Sequence, residues 1–250
     1  MKFGIGQSAG RVEDRRLLIG AGCYSDDVAP GKGLHVAFLR APHAHARIQH
    51  LDVKAALNVT GVRLVATQAD LDADDIGDIE CQFRPPLIGG GDMQLVSKPA
   101  MVRDINRHAG DIIAMVVAET QDIAESAIES IEVDYEAMPA VTDIFAAIAD
   151  DAPQLYECYR KNIAFEWATG NVEGADQEMK SAIANGHKFV EIDVVNNRVV
   201  INSIETRPMV ASPGKKPGSL NIWCGTQGVV GIAEQIAKSL AMDRTDVHVQ

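Results

Sequence analysis

Three places in this chain carry side chains whose types and spacing could do chemistry. The first is Gly225-Thr226-Gln227-Gly228, where one primary amide sits between two glycines. A carboxamide offers two N–H donors and one carbonyl acceptor without net charge, so it can orient a polar ligand and leave that ligand's protonation alone. The second is the pair His43 and His45. Alternate residues of a strand share a face, and two neutral imidazoles on one face can ligate a metal. The third is Glu205 with Arg207, an acid–base couple or an ion pair if a strand continues through them. No third His, Cys or carboxylate stands at a matching spacing from the histidines, and no third acid–base partner stands with Glu205 and Arg207. The histidines are therefore expected to make structural hydrogen bonds, and Glu205 and Arg207 to pair with each other.

The elements that must hold Gln227 are legible on either side of it. Leu220-Asn221-Ile222-Trp223-Cys224 is short and apolar, as a buried strand would be. Val229, Val230, Ala233, Ile236, Ala237 and Leu240 then recur at helical spacing. The pattern predicts a strand, a tight turn and a helix, with Gln227 at the carboxyl end of the strand. Ligands of α/β structures favour that position. A turn residue that caps the helix fits the same local sequence.

The rest of the chain reads as an α+β protein. Strands are expected over 34–40, 62–67, 112–118 and 132–136, with short helices over 52–58 and after Thr120. The near-continuous apolar run Ile112–Ala118 is expected to be covered on both faces. Residues 70–80 read as a solvated acidic loop, and 81–100 as a long loop around Gly89-Gly90-Gly91. Beyond residue 140 the pattern gives a short helix and linker over 145–153, a strand over 162–167 and a helix over 175–185. Strands over 188–195 and 198–204 follow around Asn196-Asn197, and a last strand begins at Asp246. Gly4 to Gly10 lacks a proper preceding strand for a dinucleotide loop and reads as an extended segment.

Bulk properties narrow the function classes. The 250 residues carry a formal net charge of −12, which argues against nucleic-acid backbones as partners. No apolar run reaches the ~18 residues of a membrane span, and the first residues lack the apolar core of a signal peptide, so a cytoplasmic location is expected. Cys23, Cys81, Cys158 and Cys224 are far apart, with no Cys-x-x-Cys pair. Neither an iron–sulfur cluster nor a structural zinc is expected on this chain, and the thiols are expected to be buried and reduced.

Taken together, four stretches resemble the molybdenum-binding large subunit of the xanthine dehydrogenase/aldehyde oxidase/carbon monoxide dehydrogenase family. Gly6 to Asp27 is similar to its amino-terminal signature. Leu39-Arg40-Ala41-Pro42-His43-Ala44-His45-Ala46-Arg47-Ile48 is similar to its Arg-Ser-Pro-His-Ala-His-Ala segment, with Ala41 in place of serine. Met115 to Thr120 and Val133 to Val141 are similar to the end of its hammerhead domain. Asn197 to Ala211 and Gly225-Thr226-Gln227-Gly228 are similar to the start of its molybdopterin-binding domain.

The resemblance implies an a/b hammerhead domain over 19–140, preceded by an extended segment (1–18) that packs on the second domain. An incomplete α/β molybdopterin-binding domain over 141–250 is implied to follow. It also implies that Gln227 hydrogen-bonds an oxygen on molybdenum, with Thr226 and Gly228 beside it in the cofactor site. No residue of this chain is implied to ligate the metal. The implied reaction is oxidative hydroxylation of an aldehyde, an N-heterocycle or carbon monoxide, with oxygen taken from water. The implied cofactor is molybdenum-molybdopterin in its cytosine dinucleotide form, and FAD and 2Fe-2S centres lie on partner subunits. The family's subunit is roughly three times longer, and its catalytic glutamate would fall beyond Gln250. The chain is accordingly expected to be inactive alone and to need a carboxyl-terminal part of the large subunit. A non-catalytic binding or assembly module on a hammerhead fold is the rival expectation.

Overall fold

Ile112-Ile113-Ala114-Met115-Val116-Val117-Ala118 is rich in β-branched residues, which suit a pleated surface with neighbours on both faces. In the computed structural model this run is the middle strand of a sheet. The structure describes residues 6, 10–28, 33–197, 199, 202–203 and 206–250. In chain order the first elements are helix α1 (Asp14–Leu18), strands β1 (His35–Arg40) and β2 (Ala46–Asp52), and helix α2 (Lys54–Leu57). Strand β3 (Val62–Thr67), helix α3 (Gln68–Ala73) and strands β4 (Ile105–Asn106) and β5 (Ile112–Ala118) follow. Next come α4 (Gln121–Ile128), β6 (Glu132–Ala137), α5 (Ile144–Ala147) and α6 (Val172–Ala184). The last elements are β7 (Met209–Pro213), β8 (Leu220–Cys224), α7 (Val229–Ser239) and β9 (Val247–Val249).

The chain divides into two units. One takes in His35–Asp74 and Asp78–Ile201; the other takes in Met1–Leu34, Asp75–Gly77 and Asn202–Gln250. In the larger unit, β5 lies between β1 and β3, antiparallel to both. A second sheet has the order β4-β2-β6, again antiparallel. Helix α4 lies on the first sheet through Ala124 and Ala127, both fully buried. Small residues there let helix and sheet approach closely, and Ala37, Val65, Ala114, Val116 and Ala118 close the core. Thr120 caps the helix as its sequence suggests, its hydroxyl accepting from the Ile123 amide at 3.3 Å.

Several local expectations are corrected. Of the expected acidic loop 70–80, residues 70–73 belong instead to helix α3, and only 74–80 are non-helical. The acidic composition masks a start signal: the Asp70 carboxylate accepts from the Thr67 amide at 2.7 Å and from its hydroxyl at 2.8 Å. Nor are Asp72 and Asp78 simply solvated. Arg103 forks onto Asp72 at 2.8 and 3.0 Å and onto Asp78 at 2.8 and 3.1 Å. Part of the extended lead-in is also helical, as α1, although none of its residues is buried. Residues 162–167 and 188–195 form no strand: beside 162–167 the Ile88 amide donates to the Glu166 carbonyl at 3.1 Å, and one such bond does not make a ladder. Cys23, Cys81 and Cys158 are exposed and Cys224 half-buried; the first three stand in loops outside either core. All four are free thiols. Glu205 lies outside the described residues, and so does the expected pair with Arg207.

Asp70 gives a pH test. Its hydrogen bonds from Thr67 hold its carboxyl below the ordinary aspartate value of 3.8. A carboxyl depressed on folding stabilises the protein fully above its unfolded value, and that contribution disappears as pH falls through the lower folded value. The Asp70→Asn variant is therefore expected to be less stable than the parent at neutral pH and to converge on it in acid. Urea midpoints measured from pH 7 down to pH 3 check this, and a constant gap across the range would rule out the linkage.

Candidate functional site

The smaller unit positions Gln227. Strand β8 pairs antiparallel with β7, Ile222 opposite Ala211, and parallel with β9, Ile222 opposite Val249. A parallel pair needs a crossover, and α7 supplies it between β8 and β9. The helix is amphipathic as read from sequence. Ala233 and Ala237 are buried against Ile222 and Val247, with Ile236, Met242 and Val249 packed around them. This small core fixes the axis of α7 against the strand, and the turn joining them has four residues.

In that turn Gly228 is the cap residue of α7, and its amide donates to the Thr226 hydroxyl at 3.2 Å. No side chain caps the helix and no acidic residue stands in its first turn. The alternative reading of Gln227 as a helix cap is thus not met. The first amides of an α-helix have no partner within the helix, and the aligned peptide dipoles make that end partly positive. Gln227 itself is exposed, and its amide makes no hydrogen bond to the described residues. A Cβ added at Gly228 or Gly231 would meet nothing within 4 Å. Val229 and Val230, immediately after the turn, are 43% and 58% exposed. The local geometry is an open strand end with an unengaged amide, a partly positive helix terminus and an apolar lip. It offers donors to an electron-rich ligand.

The two histidines are structural. His43 and His45 do not share a strand face, because residues 42–45 bend and β2 begins only at Ala46. His45 is buried, with its Nδ1 at 2.8 Å from the Pro139 carbonyl. His43 packs its ring on Tyr135 at 4.9 Å. His45 thus makes the structural hydrogen bond expected of it, whereas the His43 side chain is held by a ring contact. No group of three or more His, Cys, Asp or Glu able to hold a metal occurs among the described residues, and no helix among them is long and apolar enough to cross a membrane.

Comparison with known proteins bears on what this turn belongs to. The profile of the aldehyde oxidase and xanthine dehydrogenase a/b hammerhead domain matches residues 19–139. That of the molybdopterin cofactor-binding domain matches residues 155–250. The chain belongs to the aldehyde oxidase/xanthine dehydrogenase family. It resembles the carbon monoxide dehydrogenase large chain of Afipia carboxidovorans, with 33% identity over 98% of this chain and 30% of that protein. It also resembles the nicotine 6-hydroxylase large subunit of Paenarthrobacter nicotinovorans, with 30% identity over 89% of this chain and 26% of that protein. Among solved structures, quinoline 2-oxidoreductase from Pseudomonas putida 86 superposes with a TM-score of 0.78 at 31% identity, over all of this chain and 30% of that one. The chain thus spans about 30% of the length of these relatives. Within the family's architecture it carries the hammerhead domain and the start of the molybdopterin-binding domain, and the turn with Gln227 lies in the latter.

Proposed function

We propose that this chain contributes the hammerhead domain and the first cofactor-contacting turn to the large subunit of a molybdenum hydroxylase. The supporting observation is the exposed, unengaged Gln227 amide at the carboxyl end of β8, just before the uncapped end of α7. A bound molybdopterin cofactor would supply the redox chemistry: oxidative hydroxylation of an aldehyde, an N-heterocycle or carbon monoxide, with water as the oxygen source. The carbon monoxide, nicotine and quinoline enzymes named above support that substrate range. The protein's part is placement and hydrogen bonding around the cofactor.

Each residue of the turn has a task in this reading. Gln227 donates an amide N–H to an oxygen of the cofactor without bringing a charge. Thr226 holds the Gly228 amide and so fixes the turn. Gly228 leaves room where any side chain would project toward the cofactor. The general base belongs to polypeptide corresponding to the remaining length of the relatives, and electrons leave through flavin and 2Fe-2S subunits. The cofactor is the cytosine dinucleotide form, and the assembly is cytoplasmic.

Co-expression with a polypeptide carrying that remaining length tests the reading. The co-purified assembly is expected to hold close to one molybdenum per chain by elemental analysis, with a pterin released on acid treatment; this chain purified alone is expected to hold neither. A stable assembly without molybdenum or pterin would favour the non-catalytic module. Turnover of aldehyde or heterocycle by the chain alone would refute the proposal.

A further inference from the structure

The larger unit contains a cavity of about 340 Å³ that no step of the proposed function uses. It is a cleft open to solvent on one side, lined mostly by residues between Val96 and Ile112, with Arg40 and Tyr156 completing the wall. Four cationic side chains line it (Arg40, Lys98, Arg103 and Arg107) against two carboxylates, Asp104 and Asp111. That balance is unusual in a chain of net charge −12.

How each charge is engaged decides what the cavity can bind. Arg103 is neutralised twice, by Asp72 and Asp78. Asp104 lies 3.6 Å from Arg47. Asp111 accepts from the Arg107 amide at 2.9 Å and stands 3.0 Å from His108 Nδ1. Arg40 and Arg107 differ in being held by carbonyl groups. Arg40 Nη1 donates to the Gly110 carbonyl at 2.9 Å. Arg107 donates from Nε to the Leu155 carbonyl at 2.7 Å and from Nη1 to the Ile105 carbonyl at 3.2 Å, and its guanidinium lies 4.5 Å over the Tyr156 ring. Such bonds fix orientation but leave the positive charge in place. A guanidinium has five N–H donors, so most of those on Arg40 remain available. Among the described residues, no carboxylate forms an ion pair with Arg40, Lys98 or Arg107.

We propose that this cavity is a binding site for a small phosphate-type oxyanion. Two oriented guanidinium forks and one ammonium suit a dianion with several acceptor oxygens better than a single carboxylate. The size agrees, since about 340 Å³ is at the lower end of small-molecule sites. Val96, Pro99, Met101 and Ile112 in the lining leave room for a short apolar part beside the anionic group.

Calorimetric titration of the full chain with inorganic phosphate, at constant ionic strength, tests the proposal. Saturable binding is expected, with chloride at the same ionic strength giving none. Arg40→Gln and Lys98→Ala alter exposed side chains and should each weaken phosphate binding about tenfold, equivalent to ~1.4 kcal/mol. Arg107→Lys should weaken it too, by keeping the charge and losing the fork. Arg63→Gln is the control: Arg63 pairs with Glu119 and does not line the cavity, so its variant should bind like the parent. Thermal melts verify that each variant is folded. Absence of saturable binding in the parent would overturn the proposal. So would losses in Arg63→Gln as large as those in Arg40→Gln, which would report general surface charge.

Discussion

Gln227→Ala is expected to lower turnover of the assembled enzyme by about 10–100-fold while leaving its fold unchanged, the range typical of losing a hydrogen bond to a metal site's immediate surroundings. The fold should tolerate the change because the Gln227 side chain is exposed and bonds no described residue. Thermal midpoints of the isolated chain should therefore agree between parent and variant. Charge and shape can be separated by a second substitution. Gln227→Glu keeps the length and the planar head, but an ionised carboxylate can only accept hydrogen bonds. If donation is the task, Glu should be at least as damaging as Ala, and Gln227→Asn, one methylene short, should be intermediate. Thr226→Ala should cost less than either, because the Gly228 amide loses one 3.2 Å partner while the glycine backbone still makes the turn. Molybdenum content measured beside turnover distinguishes a hydrogen-bonding role from simple loss of cofactor. Full activity in Gln227→Glu would remove Gln227 from the proposal.

What the sequence reveals about this molecule depends on whether the deciding contact is local. The segment from β8 through α7 is legible because its apolar periodicity changes from strand to helix across two glycines, and the βαβ unit satisfies its own backbone. β5 is legible because only a doubly covered strand is apolar at nearly every position. The reading of 70–80 as loop fails over 70–73 because acidic composition is a weaker signal than the Thr67-x-x-Asp70 cap. The thiols are misplaced because burial is a property of position in the fold, and Cys23, Cys81 and Cys158 fall in loops. The oxyanion cavity is illegible for a further reason: Arg40 and Tyr156 come to the segment bearing Lys98 and Arg107 from distant parts of the chain. The one local hint is the run of cations Lys98, Arg103 and Arg107 in an otherwise acidic sequence. Which charges are spent on carboxylates and which are held by carbonyls is visible only in three dimensions.

Amides of residues 188–197 in the isolated chain are expected to exchange with solvent at close to unprotected rates, while those of β5 are slowed by a factor on the order of 10³–10⁶, the range set by global unfolding. The bare sequence suggests a broader version, with all of 150–250 weaker than 19–140. The structure narrows it. Residues 209–249 have their own sheet and the core around Ile222, Ala233, Ala237 and Val247, so they should show intermediate protection. The weak stretch lies before them. Val190, Ile192 and Val194 are 81%, 76% and 76% exposed, and α6 buries none of its residues. Burying one such side chain is worth about 1.5–3 kcal/mol, so the stretch carries strand-forming residues whose stabilisation is unused. A run of this kind, exposed and unpaired among the described residues, is also a template for strand pairing between chains. Two results should therefore appear together. Dilute protein should exchange fast at 188–197, and adding the polypeptide that completes the cofactor domain should slow those amides while leaving β5 unchanged. Protection of 188–197 equal to that of β5 in the chain alone would show that the stretch already has its partner, and would count against a domain completed by further polypeptide.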